Sequence, residues 1–197
     1  MNGITTVALA GVGGQGILLA AAVLAETASA AGLDVKASEV KGMAQRGGSV
    51  RSTVRFGAQV WSPVSPHADV VIATEELEGY RAIETIVPGG TLVYAVTTHI
   101  LPGSVLRGEE EYPDDLAAFA EGRDVRLVAI DAEALAREAG SARAVNIALL
   151  GAASTVLPFS ADAWQAGLSA AVPAKILAVN ERAFALGRDA AHQEVAP

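Results

Sequence analysis

The chain has 197 residues, 51% of them apolar and only 5% aromatic, with a formal net charge of −8 and no cysteine. That length suits one domain with a buried core, and the missing thiols exclude disulfides, thiolate chemistry and cysteine-ligated zinc or iron–sulfur clusters on this chain. The acidic balance argues against general nucleic-acid binding, and the alanine-rich apolar content favours close-packed helices on a sheet.

The first residues, Met1 to Thr6, run into a strand without a basic region or cleavage pattern, so no signal peptide is expected. Thr5 to Ala10 reads as a buried strand, Gly11 to Gly16 as a tight turn, and Ile17 to Ala31 as a helix closed by Gly32. Asp34 to Val40 predicts a second strand and hence a βαβ opening of ordinary length. A glycine-rich loop follows, and then Ser49 to Phe56 as an alternating strand. Gly57-Ala58-Gln59 predicts a hairpin into Val60-Trp61-Ser62, which makes the sheet mixed. Ala68 to Thr74 reads as another buried strand, followed by a helix over Glu75–Val87, a turn at Pro88-Gly89-Gly90 and a strand over Thr91–Val96. Residues 98–113 read as irregular, Asp114–Ala120 as a short helix, and Val125–Ile130 as a strand. The remainder predicts helices over Ala132–Ala139, Ala142–Val156, Ala161–Ala171 and Pro173–Leu186.

The fold class expected from this order is α/β: a three-layer Rossmann-like domain with a mixed, mostly parallel sheet and a helical C-terminal part. One domain is expected over residues 1–187, with a frayed tail over 188–197. The longest uncharged stretch, Ala144 to Ala161, is broken by Pro158 and is a poor membrane span; the expected location is cytoplasmic. Ile17–Ala25 and Ala144–Thr155 carry no charge on any side, so each must be covered on both faces. Central helices would satisfy this, but a subunit interface is the preferred reading.

Gly11-Val12-Gly13-Gly14-Gln15-Gly16 satisfies G-x-G-x-x-G between a strand and a helix, where glycines let an anion approach a helix N-terminus. Glu39, at the end of the second strand, stands where a ribose-binding acid would sit. The pattern admits an NAD site; equally, the glycines could simply permit close packing of strand and helix.

The stretch from Glu39 to Arg51 is more distinctive. Residues 36–55 hold Lys36, Lys41, Arg46, Arg51 and Arg55 against the single acid Glu39, a basic island in an acidic chain. Gly42, Gly47 and Gly48 can expose backbone N–H groups, and Arg46 adds a bidentate donor for phosphate or carboxylate. In the following strand Ser49, Arg51, Thr53 and Arg55 share one face and Val50, Ser52, Val54 and Phe56 the other. The basic face would bind an anion or a partner, or else be solvated and paired with acids elsewhere. The candidate anion-binding residues are therefore Gly11, Gly13, Gly14, Gln15, Gly16, Lys41, Gln45, Arg46, Gly47, Gly48 and Arg51. No catalytic residue can be named. His67, His99 and His192 are far apart in sequence, so no metal site is expected. Glu75, Glu76 and Glu78 lie after a strand C-terminus, where α/β sites gather, yet equally suit a helix N-terminus. Asn146 in its apolar helix suits a buried amide or an interface contact.

Together, Gly11–Ile17, Glu39–Val50 with its Gly-Met-Ala-Gln-Arg-Gly-Gly run, and Val54-Arg55-Phe56-Gly57 resemble the gamma-type subunit or domain of 2-oxoacid:ferredoxin oxidoreductases, nearest to the beta subunit of the indolepyruvate enzymes. Ser62-Pro63, Ala68-Asp69-Val70 and Pro88-Gly89-Gly90 extend the similarity through about Gly187. The resemblance implies oxidative decarboxylation of a 2-oxoacid, such as an aryl pyruvate, to an acyl-CoA. It implies thiamine diphosphate and iron–sulfur clusters on a partner alpha subunit, ferredoxin as electron acceptor, coenzyme A as a ligand near this domain, and no cofactor on this chain. On that reading the protein is an oxidoreductase subunit, inactive alone, in a hetero-oligomer without membrane or nucleic-acid contacts. Two alternatives stand beside it: a free-standing NAD-dependent oxidoreductase, and a purely structural subunit.

Overall fold

The protein is described by a computed structural model over residues 3–41, 48–96, 103–109, 111–112 and 115–194, with side chains omitted at 41, 103, 104, 193 and 194. Its centre is a six-stranded sheet formed by β1 (Thr5–Val12), β2 (Asp34–Lys41), β3 (Ser49–Gly57), β4 (Ala68–Ala73), β5 (Ile86–Ala95) and β6 (Val125–Ile130), in the order β2-β3-β1-β4-β5-β6. β1, β4, β5 and β6 run parallel; β3 is antiparallel to both its neighbours, β1 and β2. The sheet is mixed and mostly parallel, as the sequence predicts, but β1 and β2 are not adjacent: β3 lies between them.

That insertion also corrects the predicted hairpin. Residues 58–67 form no strand, because both edges of β3 are already occupied. Side chains take up backbone groups of this segment instead: Val60 N–H donates to Asp34 Oδ2 (2.7 Å), and Arg55 Nη1 donates to the carbonyls of Ser62 (2.7 Å) and Val64 (3.1 Å). The true hairpin joins β2 to β3 across the glycine-rich loop.

One face of the sheet carries α1 (Ile17–Ala30), α5 (Ala132–Ala139), α6 (Val145–Ala153), α7 (Ala161–Ala171) and α8 (Ala174–Glu194). The other carries α2 (Glu76–Ala82) and α4 (Leu116–Ala120); α3 (Gly103–Leu106) is a single turn inside the stretch predicted to be irregular. The expected helix over Glu75–Val87 ends earlier, passing through a 3-10 turn at Ile83–Thr85. Likewise the predicted Ala142–Val156 helix begins as a 3-10 turn, Ala142–Ala144. Pro88-Gly89-Gly90 lies inside β5 as a bulge where the register with β4 shifts, and Gly89 has φ +77°. α8 passes the predicted end at Leu186 and remains helical through Glu194, well into the residues expected to form a tail.

Of the two all-apolar helices, α6 is covered within the chain, which removes the need for a subunit interface there, whereas α1 keeps Leu18 and Ala22 exposed. α6 is buried from Asn146 to Ala153, with the sheet on one side and α8 on the other; α7 packs on α1. Glycines make this second helical layer possible. A Cβ on Gly151 would lie 2.0 Å from the Phe184 carbonyl oxygen, and one on Gly187 would lie 1.9 Å from that of Ala148, so α6 and α8 meet backbone to backbone. The few aromatics close the outer rim: Phe56, Phe159, Trp164 and Phe184 form a chain of ring contacts 4.9–5.5 Å apart. Among the described residues no helix is long and apolar enough to cross a membrane.

Candidate functional site

β1 and β4 are parallel neighbours whose following helices leave to opposite faces, α1 to one and α2 to the other. This is the topological switch point of the sheet, where α/β proteins open a crevice beyond the strand C-termini. Gly11–Gly16 forms one lip and Thr74–Glu78 the other. β2 ends and β3 begins at the same edge, since Val12 pairs with Ser49 and Lys41 with Val50. Gly13 N–H donates to the Gly48 carbonyl at 2.9 Å. The two sequence motifs, 30 or more residues apart, thus meet at Gly13 and Gly48. Gly42, Gln45, Arg46 and Gly47 lie outside the described residues, as does the Lys41 side chain.

The glycine turn is largely occupied from within. Gln15 Oε1 accepts from Val12 N–H (2.7 Å) and from the Thr74 hydroxyl (2.7 Å), while Gln15 Nε2 donates to the Thr74 carbonyl (3.2 Å). With Gln15 N–H on the Val12 carbonyl, the amides of Val12, Gly13 and Gln15 are all used internally. A Cβ on Gly11 would lie 2.0 Å from Thr74 Oγ1, and one on Gly16 would lie 2.7 Å from Asn146 Nδ2. Those two glycines therefore serve close packing, whereas Gly14, at φ +106°, faces open space. Asn146 donates to the Gly16 carbonyl at 2.8 Å and is buried, its Oδ1 without a partner.

The dinucleotide reading loses its geometry here. In that fold the ribose-binding acid ends the strand next to β1; Glu39 ends an edge strand separated from β1 by the whole width of β3.

On the other lip Glu75 is buried and caps α2, accepting from Glu78 N–H at 3.1 Å; the Tyr112 hydroxyl also donates to it. Burial, then the hydrogen bond to Glu75, push the Tyr112 phenol well above its ordinary value. Glu78, also buried, accepts from the Ser49 hydroxyl (2.6 Å) and from Arg81 Nη1 (2.8 Å), tying α2 to the start of β3. The acids following β4 are thus both cap and crosslink. Thr74, Ser49 and Tyr112 were not among the residues expected at the site; their partners lie 29 to 59 positions away in the chain, and no local spacing signals them.

The β3 alternation holds. Ser52, Val54 and Phe56 are buried, and Ser49, Arg51, Thr53 and Arg55 occupy the α2-side face. Arg55 is bound to two carbonyls and the Thr6 hydroxyl rather than to acids; Arg51 makes no hydrogen bond or ion pair among the described residues. His67 is an exposed loop residue, and no three His, Asp or Glu side chains are grouped to hold a metal ion among the described residues.

A family model described as "Pyruvate ferredoxin/flavodoxin oxidoreductase" matches residues 6–190. The chain belongs to this family. Indolepyruvate oxidoreductase subunit IorB of Thermococcus kodakarensis is 40% identical over 195 residues, covering 95% of this chain and 96% of that protein. The IorB of Pyrococcus horikoshii is 39% identical over 194 residues, with the same shares covered. Among solved structures, the gamma subunit of a keto/oxoacid ferredoxin oxidoreductase from Geobacter sulfurreducens has the same fold, with a TM-score of 0.72 at 23% identity, covering 96% of this chain and 99% of that one. A 2-oxoglutarate:ferredoxin oxidoreductase from Magnetococcus marinus, solved with 2-oxoglutarate, coenzyme A and succinyl-CoA bound, contains the fold as a part. Its TM-score is 0.75 at 23% identity, covering 98% of this chain and 32% of that one. The same fold thus spans nearly the whole of one of these solved chains and about a third of the other.

Proposed function

We propose that this protein is the subunit of an aryl 2-oxoacid:ferredoxin oxidoreductase, acting on indolepyruvate in the cytoplasm, that completes the active site of a partner alpha subunit. The observation that carries this is the near full-length similarity to the IorB subunits. Thiamine diphosphate and iron–sulfur clusters, supplied by the partner, provide decarboxylation and electron transfer to ferredoxin. This chain has no cysteine with which to ligate such a cluster.

The contribution of this chain is to hold an anionic group, the phosphates of coenzyme A, at the edge where the glycine turn meets the hairpin. Charge decides on which side. The α2 lip holds two buried carboxyl groups, Glu75 and Glu78, and the turn's amides are mostly consumed. The hairpin connection carries Lys41, Arg46 and the adjacent glycines Gly47 and Gly48 in its sequence. An anion is therefore favoured at the hairpin, and Gly11, Gly13, Gly14, Gln15 and Gly16 shape the floor against which Gly48 is fixed. No acid–base pair on this chain is assigned to the reaction.

The test is to reconstitute the complex with Arg46→Ala and titrate coenzyme A. The expected result is an apparent affinity about tenfold weaker, the scale of one lost charge-assisted contact. Unchanged affinity and turnover would leave the chain as scaffold alone.

A further inference from the structure

The α2-side face of β2 and β3 is bare of helices among the described residues: α2 covers β1, β4 and β5 and reaches β3 through Glu78 and Ser49. The face presents Lys36, Ser38 and Val40 from β2 beside Arg55, Thr53 and Arg51 from β3, paired in register. Beside it, residues 61–64 are held over the β3 end by Arg55. Exposed apolar side chains stand at both ends of this basic ground: Val40, opposite Arg51, is 66% exposed, and Trp61 and Val64, in the segment held by Arg55, are 82% and 64% exposed. The opposite face of β3 is packed under α1, which buries Val54 and Phe56, while on the edge strand β2 Ala37 and Glu39 are exposed on that side as well.

We infer that this face is the docking surface for the partner alpha subunit, and that the partner presents apolar side chains flanked by at least two carboxylates. This rests on the proposed function, which supplies the partner. The sign of the charge comes from the face itself. Lys36 is paired with Asp34 at 3.1 Å, but Arg55 is bound only to neutral oxygens and Arg51 is unpaired among the described residues. Two cations thus await counter-charges. A second copy of this chain is the poorer occupant, since a two-fold pairing of this face would set one basic face against another. An exposed tryptophan with arginine beside it is also the composition that dominates binding energy in protein interfaces.

The experiment co-expresses the chain with its thiamine-diphosphate subunit and measures assembly by sedimentation, comparing wild type, Trp61→Ser/Val64→Ser, Arg51→Glu and Leu106→Ser. Leu106 is comparably exposed but lies on α3, which follows β5 and belongs to neither β2 nor β3. Circular dichroism and thermal melting of each free chain establish that it is folded. The double variant and Arg51→Glu are expected to weaken assembly by about tenfold or more, with Arg51→Glu also flattening its salt dependence, while Leu106→Ser assembles normally. Folded variants that assemble like wild type would overturn this surface while leaving the proposed function standing. A wild-type chain that pairs only with itself, or with no subunit at all, would overturn both.

Discussion

Gln15 and Thr74 grip one another through two hydrogen bonds across the switch point, hydroxyl to amide oxygen at 2.7 Å and amide nitrogen to carbonyl at 3.2 Å. The same Gln15 oxygen takes Val12 N–H, so one side chain joins the end of β1, the end of β4 and the turn between β1 and α1.

Gln15→Ala removes this crosslink, leaves the Val12 N–H short of an acceptor and leaves the Thr74 hydroxyl only the longer contact to the Ala10 carbonyl at 3.5 Å. The expected loss is about 1–3 kcal/mol in denaturant unfolding. Because Gly13 and Gly48 are fixed by the same turn, amide resonances at Gly48 should shift as well. A variant as stable as wild type would show that water replaces the side chain at no cost.

Two glycine-to-alanine variants should differ sharply. Gly151→Ala drives a methyl into the α8 backbone, where neither helix can yield alone; the expected cost is about 3 kcal/mol or more. Gly32→Ala has open space around it and meets only the strain of φ +76°, about 1–2 kcal/mol. Melting temperatures of the two, measured together, test whether helix contact or turn conformation matters more.

Tyr112 gives the alkaline limb of stability. Its phenol is raised above the ordinary 10.0, chiefly by burial and next by Glu75, so the unfolded chain releases this proton first. The stabilisation is complete below pH 10 and is lost as the pH rises further. Tyr112→Phe should cost about 1.5–3 kcal/mol at neutral pH by removing a donor to a buried carboxyl, and should flatten the fall in stability above pH 10. Parallel slopes for the two proteins would refute the assignment.

At the acid end, Asp34 is lowered from 3.8, first by the Val60 N–H and then by Lys36. Its contribution is present above 3.8 and is lost as the pH falls through the folded-state value. The Val60 amide resonance should therefore titrate with a midpoint below 3.8. Asp34→Ala should speed proteolysis at residues 58–64 with little change in global melting, since the segment is a surface one.

What could be read ahead of the structure followed the range of each signal. α5 and α7 lie where the sequence places them because their caps are local: Asp131 and Ser160 bond amides three residues on, and Gly140 turns the chain at φ +113°. The strands, too, announce themselves by alternation, and the basic face of β3 was legible residue by residue. The order of those strands was not. Placing β3 between β1 and β2 depends on pairings such as Val7 with Val54 and Ala37 with Val54, set by the whole core rather than by any turn. The same blindness hid Gln15 with Thr74 and Glu75 with Tyr112. It also turned the covered helix α6 into a supposed interface, because an apolar helix looks alike whether its cover comes from the same chain or another.

The depth of the helical side has a consequence for how the protein is made. The apolar stripe of α1 and the core side of β4 to β6 find their cover in α6, α7 and α8, which follow every strand in chain order. Between the synthesis of β6 and that of α6 to α8, the apolar side of the sheet has no cover from the segments that bury it in the finished protein. Cells producing it must shield that side until the C-terminal helices emerge, and a chain stalled before Val145 is a candidate for chaperone capture and aggregation rather than for a stable intermediate.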